Sequence, residues 1–317
     1  MHATGRRTLR RYGLALLVGL LVLTGCGTAG SPPPEQKVAP VTPYHYRPPQ
    51  PAGRGPLVVA VGDMVCAGGQ PVSDRTCRDR DAARLAAEYR PTAVLALGDQ
   101  QYGNGSLATY RQHYARTWGR FRAVTKPVPG DEKDLSGYYS YFAAQTQPPG
   151  YYAFDVGSWR VYALNDNCTR IDCDAELAWL DQDMAANPRD CSAIMLHTPL
   201  YGSGIDHGGH PAVVRPFWRV ALAHGTDLAL AGHLHQYERF PPMGLWGRAD
   251  PRGMASFIAG TGGASMRPLT ESRAAHSEEF DNSTAGVLSL RLQKGRFSWR
   301  YRNVDQYNID AGSRACH

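Results

Sequence analysis

Four apolar runs in this chain end on the same kind of residue. PLVVAVGD (56–63) stops at Asp63, TAVLALGD (92–99) at Asp99, CSAIMLH (191–197) at His197, and DLALAGHLH (227–235) at His233 and His235. A short apolar run without polar alternation reads as a strand buried on both faces. Helical patterns lie between the runs: DRDAARLAAEY (79–89), LATYRQHYARTW (107–118), AELAWLDQDMAA (175–186) and RPFWRVALAHG (215–225). Strands alternating with helices define an α/β class with a largely parallel core. YYAFDVG and WRVYALN read as a hairpin turning at VGS. GVLSLRLQ and RFSWRYRN read as strands joined at Lys294-Gly295, and ASFIAGTGG as a further strand, so a second sheet is expected. Residues 56–317 show no Pro/Gly-rich linker and no internal repeat, which makes about 260 residues one domain.

In open α/β sheets, ligands bind beyond the carboxyl ends of strands. A single Asp after Gly is an ordinary turn residue, and a single His an ordinary core or surface residue. Four such ends at one topological position are harder to read as turns, because carboxylate oxygen and imidazole nitrogen are the usual donors to first-row metal ions. His233 and His235 are two apart, so in an extended segment both face one side and each can approach a different ion of one cluster. Tyr102 follows Asp99 by three in GDQQY; it is either a phenolate ligand for a hard trivalent ion or a packed loop aromatic. GDEKD (130–134) puts three carboxylates and a lysine in five residues. It is either a solvated turn or part of the same site.

Taken in order and spacing, GD(63), GDxxY(99–102), HTP(197–199) and GHxH(232–235) resemble the calcineurin-like metallophosphoesterases, and GDxxY is most similar to the purple acid phosphatase branch. The resemblance implies a four-layer α-β-β-α sandwich of two mixed β-sheets flanked by helices, and a hydrolase with two metal ions. By motif position Asp99 bridges both ions. Asp63, Tyr102 and His235 complete one shell, implied to hold ferric iron. His197 and His233 serve the other, a divalent iron, zinc or manganese. Where the family carries Gly-Asn-His-Glu, this chain reads Gly130-Asp131-Glu132-Lys133. Asp131 can still give an oxygen to the second ion. Glu132 replaces a histidine that in the family binds phosphate and protonates the leaving oxygen; its charge would repel a phosphate dianion, and it could act as an acid only with a raised pKa. Lys133 could offset that charge. His207, with His210 as substitute, stands where the family places another substrate-contacting histidine, or in a plain exposed loop. GTGGAS (260–265) is either a phosphate cradle of backbone N–H groups or a tight turn. The implied reaction is hydrolysis of phosphate esters by a metal-bound hydroxide, phosphomonoesters favoured. The alternatives are a phosphodiesterase, or a non-catalytic ligand-binding protein on the same fold because GNHE has become GDEK.

The first 25 residues carry Arg6, Arg7, Arg10 and Arg11 before an apolar run from Gly13 to Leu23, the pattern of a signal peptide. LTGC ending at Cys26 resembles a bacterial lipobox, which implies cleavage before Cys26, lipid attachment to it and a cell-membrane anchor facing outward; the alternative is a plain secretory signal. Residues 26–55 are Pro- and Gly-rich and read as a tether. Cleavage removes four of 34 basic residues and leaves 30 against 28 acidic ones, so the mature chain is nearly neutral. With no basic run interleaved with aromatics, no nucleic-acid binding is expected. Six further cysteines in an oxidising compartment imply disulfides. Cys66 with Cys77 is the first pairing expected, and a Cys/His metal site is the alternative.

Overall fold

Successive side chains of a strand point to opposite faces, and the first strand shows what lies on each. In the computed structural model, which describes residues 48–66, 68–204, 211–269 and 272–317, β1 (Leu57–Val61) turns Val58 and Ala60 to one core and Leu57, Val59 and Val61 to another. A six-stranded sheet therefore has two buried faces. After β1 come α1 (Asp79–Tyr89), β2 (Ala93–Leu97), α2 (Leu107–Gln112), β3 (Thr125–Val128), α3 (Ser136–Tyr141), β4 (Tyr152–Val156), β5 (Trp159–Ala163), α4 (Cys173–Ala186), β6 (Ser192–Met195), α5 (Pro211–Ala223), β7 (Leu228–Ala231), β8 (Tyr237–Met243), β9 (Met254–Ala259), β10 (Glu279–Asp281), β11 (Gly286–Gln293), β12 (Arg296–Asn303) and β13 (Asn308–Ala315).

The first sheet runs β13-β12-β11-β1-β2-β3 and the second β10-β8-β9-β7-β6-β5-β4. They pack face to face through a core that joins Val58, Leu95 and Leu97 to Val161, Met195 and Phe257. Leu85 and Ala86 of α1 cover the outer face of the first sheet, and Leu180 of α4 with Phe217 and Trp218 of α5 cover that of the second. This is the expected four-layer α-β-β-α sandwich. β1, β2 and β3 are mutually parallel, as are β5, β6, β7 and β9. Buried residues of α1 recur every three or four positions, as one buried helix face requires, and in α4 Glu176, Leu180 and Met184 do the same.

The helix expected over 107–118 ends at Gln112 and continues as two 3₁₀ segments, Tyr114–Arg116 and Trp118–Val124. Tertiary contact overrides the pattern: Trp118 is fully buried, and its indole N–H donates to Met64 O (2.9 Å) and Gly262 O (3.1 Å). Three disulfides form, Cys66–Cys77 as first expected, Cys168–Cys173 and Cys191–Cys316, so these six cysteines are not metal ligands. Among the described residues no helix is long and apolar enough to cross a membrane. Residues 1–25, Cys26 and most of the tether lie outside the described residues.

Candidate metal centre

The carboxyl ends of β1 and β7 meet across the sandwich at Gly62 and Gly232. A Cβ on Gly62 would lie 3.1 Å from Gly232 Cα, and one on Gly232 would lie 2.5 Å from Leu97 O, so only glycine permits the approach. The residues that follow are strained. Asp63, Asp99 and His233 all have positive φ (55°, 45° and 67°), a conformation that costs about 1–3 kcal/mol per residue and persists only where the surroundings enforce it. Here they do. Asp63 N donates to Gly98 O (3.2 Å), Met64 N to Asp99 O (2.9 Å), and Ala264 N to Asp63 O (3.0 Å). Three sharp turns thus aim three side chains at one point.

Two groups of donors converge there. In the first, Tyr102 Oη donates to Asp63 Oδ1 (2.7 Å) and lies 2.9 Å from His235 Nε2, which is 3.2 Å from Asp63 Oδ1. In the second, His233 Nδ1 lies 3.2 Å from His197 Nε2 and 3.7 Å from Asp131 Oδ2. Asp99 sits between them: its Oδ1 is 3.5 Å from His197 Nε2 and accepts from Asp131 N (3.2 Å). Ligand atoms of Asp131, His197 and His233 fall within 4.8 Å of one another, and so do those of Asp63, Asp99 and His197. The structure brings together all seven residues named as metal ligands from the sequence.

Backbone carbonyls orient two of the histidines toward the cluster. His197 Nδ1 is 2.9 Å from Leu97 O and His235 Nδ1 is 2.6 Å from Ser265 O. A carbonyl only accepts, so each Nδ1 carries a proton and each Nε2 faces the cluster, as backbone carbonyls commonly arrange for metal-binding histidine. His233 presents the other nitrogen, and its buried Nε2 has no partner. Burial works against ionised Asp63, yet His235 and His197 hold its carboxyl well below the usual range. Burial pushes Asp99 up to about 6 against the pull of His197. Burial alone would lower His197, but the charges of Asp99 and Asp63 raise it to about 10. Burial, with the charges of Asp63 and Asp99, raises Tyr102 well above the ordinary phenol value. Such a cluster draws positive charge. A multivalent cation competes with protons for these positions, so uptake of metal expels them. The mixed carboxylate, imidazole and phenol donors fit two first-row ions.

GDEKD divides between site and surface. Asp131 lines a cavity of about 230 Å³ with Gly130, Asp166, Asn167, Arg170, His197 and His233. Glu132 does not line it. Its Oε1 accepts from Tyr110 Oη (3.3 Å) and its Oε2 is buried without a partner. Burial, then the charge of Asp99, pushes it up to about 8. Lys133 is exposed. His207 and His210 lie outside the described residues. In GTGGAS alternate N–H groups are engaged by the protein itself: Gly260 N donates to Gln236 O (3.1 Å), Gly262 N to Gly62 O (2.9 Å) and Ala264 N to Asp63 O. The segment backs the Asp63 turn and orients His235. Asp166, Asn167 and Arg170 were missed. Their signal was the same as that of the others, since NDN (165–167) follows the carboxyl end of β5, a strand parallel to β6.

A two-sheet sandwich with these candidate metal-binding side chains at its strand ends defines a metallophosphoesterase-type protein. The chain belongs to the calcineurin-like phosphoesterase family, whose profile matches residues 48–237. Purple acid phosphatase 22 of Arabidopsis thaliana is 29% identical over 169 residues, 50% of this chain and 38% of that protein. Purple acid phosphatase 15 of the same plant is 25% identical over 262 residues, 69% of this chain and 48% of that protein. The chain spans less than half the length of these curated relatives. The purple acid phosphatase PPD1 from yellow lupin (Lupinus luteus) seeds superposes with a TM-score of 0.64 at 18% identity, over 84% of this chain and 55% of that one. That likeness is one of fold.

Proposed function

We propose that the chain is an exported phosphoesterase with two metal ions, acting first on phosphomonoesters. One observation carries the reading: two donor groups meet on either side of Asp99. Asp63, Tyr102 and His235 would hold one ion, ferric iron if Tyr102 binds as phenolate. Asp131, His197 and His233 would hold the other, a divalent iron, zinc or manganese, and Asp99 would serve both. When bound, such a pair acidifies water and offsets charge on the attacking and leaving oxygens of an in-line displacement. The chain's own residues position and exclude. Leu97 O and Ser265 O fix the imidazoles. The cavity beside Asp131 and His233 admits the ester. His207 contacts the substrate and returns a proton to the leaving oxygen. Glu132, packed against Gly130 with Asp99, supports Asp99 rather than meeting the substrate.

Elemental analysis of purified protein, with an aryl phosphate monoester and the matching diester as substrates, tests this. Two ions per chain and turnover abolished by chelation are expected, with the monoester faster. No turnover of either ester with iron, zinc or manganese would favour the non-catalytic reading, which the GDEK replacement supports. A diester preference would favour the diesterase.

We propose further that Cys26 is lipidated and tethers the domain to the outer face of a membrane. Cys26→Ala is expected to release the protein or block its processing; unchanged membrane association removes this part.

A further inference from the structure

We infer that Arg170 is the group that receives the anionic end of the substrate at this centre, an inference that rests on the phosphoesterase reading. The site is crowded with carboxyls. Asp63, Asp99, Asp131 and Glu132 gather around His197, His233 and His235, and the side chain of Asp131 is 63% exposed. A phosphate at close range to that carboxylate is repelled unless fixed positive charge stands nearby. Among the described residues lining the cavity, Arg170 is the one lysine or arginine.

The loop that carries it is built to hold it there. Cys168 and Cys173 close residues 168–173 into a ring. Asn167 Nδ2 donates to Gly130 O (3.0 Å), and Arg170 NH1 donates to Glu132 O. Arg170 N and Ile171 N both donate to Asn167 O (2.8 and 3.2 Å). Beyond the loop, the Asp172 side chain caps α4 by accepting from Ala175 N (3.0 Å). The loop is therefore fastened to both ends of the Gly130–Glu132 stretch, the stretch that brings Asp131 into the site. A guanidinium has five N–H donors in a planar fork suited to phosphate oxygens. One donor is anchored on Glu132 O and the residue lines the cavity, which leaves further N–H donors of the fork for an anion. Asp134 is on the surface, bonded to Ser136, and does not line the cavity.

Arg170→Gln keeps a donor for Glu132 O and removes the charge. The probes are inorganic phosphate, titrated calorimetrically into metal-loaded protein, and an aryl phosphate for steady-state kinetics. Loss of a charged contact predicts phosphate affinity weakened by about 10-fold or more and a parallel rise in KM, with metal content unchanged. Arg170→Lys should recover part of the affinity. If Arg170 only straps Glu132 in place, Arg170→Gln, which keeps that donor, binds phosphate like wild type, while Arg170→Ala loses metal or thermal stability; wild-type phosphate affinity in Arg170→Gln overturns the inference. A wild type that binds phosphate but turns over no ester would end the phosphoesterase reading, while weaker phosphate binding by Arg170→Gln would still support Arg170 as the anion receiver.

Discussion

Gly98 shows how finely single residues are fixed at this centre. Its φ is +82°, and a Cβ there would stand 2.2 Å from His197 Nδ1. Gly98→Ala would have to strain the turn and drive the imidazole off Leu97 O. The expected cost is about 1–3 kcal/mol of stability together with loss of bound metal. Urea unfolding and elemental analysis check both, and wild-type values in both would show that the turn relaxes freely. Tyr102 gives a second test at this scale. As a phenolate on ferric iron it would colour the oxidised protein, and Tyr102→Phe should bleach the band; a colourless, fully metallated wild type would make Tyr102 a packing and hydrogen-bonding residue. That these seven side chains would gather was legible in the sequence because each ends an apolar run or stands in a spaced motif with one that does. The strain at Asp63, Asp99 and His233 was not, since positive φ is imposed by contacts between strand ends that lie far apart in the chain. The direction of Glu132 was also hidden. Nothing in GDEKD says that Glu132 turns in to Tyr110 while Asp131 turns out to the cavity.

Elements were legible where one apolar period ran unbroken. The expected helix over 79–89 matches α1, and the four apolar runs became β1, β2, β6 and β7. Strands whose signal is diluted were missed. β8 contains Pro241 and Pro242 at a register shift, β13 is a largely polar edge strand, and β3 is an edge strand holding Pro127, the sites where sheets tolerate such residues. α4 carries a feature with a measurable consequence. Glu176, fully buried, accepts from Asn165 N through Oε1 (2.8 Å), and its Oε2 has no partner. Burial pushes its carboxyl up to about 9, against the pull of that hydrogen bond and with the help of the Asp166 charge. Unfolded, it titrates near 4.5. The folded state therefore holds a proton that the unfolded state has lost. The stabilising contribution is complete below about 4.5 and is lost as pH rises toward 9, at up to about 1.4 kcal/mol per pH unit. Glu176→Gln removes this slope. Its Tm is expected to gain on wild type steadily from pH 5 to pH 8, and parallel Tm curves would mean that Glu176 is ionised in the fold.

The whole molecule is stitched at a place remote from its chemistry. β13 is an edge strand paired only with β12, yet beyond it Cys316 is bonded to Cys191, just before β6 of the other sheet. His317 N donates to Asp227 Oδ1 (2.9 Å), just before β7. The chain's last residues thus tie one layer of the sandwich to the other. The disulfides that do this work need an oxidising compartment to persist, which agrees with the proposed export. Their weights should differ in a way that separates stability from function. Cys191–Cys316 spans 125 residues and Cys168–Cys173 spans 5. In the chain-entropy account the long closure stabilises by about 5 kcal/mol and the short one by about 2 kcal/mol. Replacing Cys191 and Cys316 together by Ser should lower Tm by about 10 °C or more and leave ester turnover at 25 °C near wild type, because neither residue lines the cavity. Replacing Cys168 and Cys173 by Ser should lower Tm less but loosen the loop that carries Arg170, so that phosphate affinity falls. Scanning calorimetry and phosphate titration on the two double variants read out both quantities. A larger Tm loss for the short loop, or equal phosphate affinity in the two variants, would break the division between a disulfide that holds the sheets together and one that shapes the site.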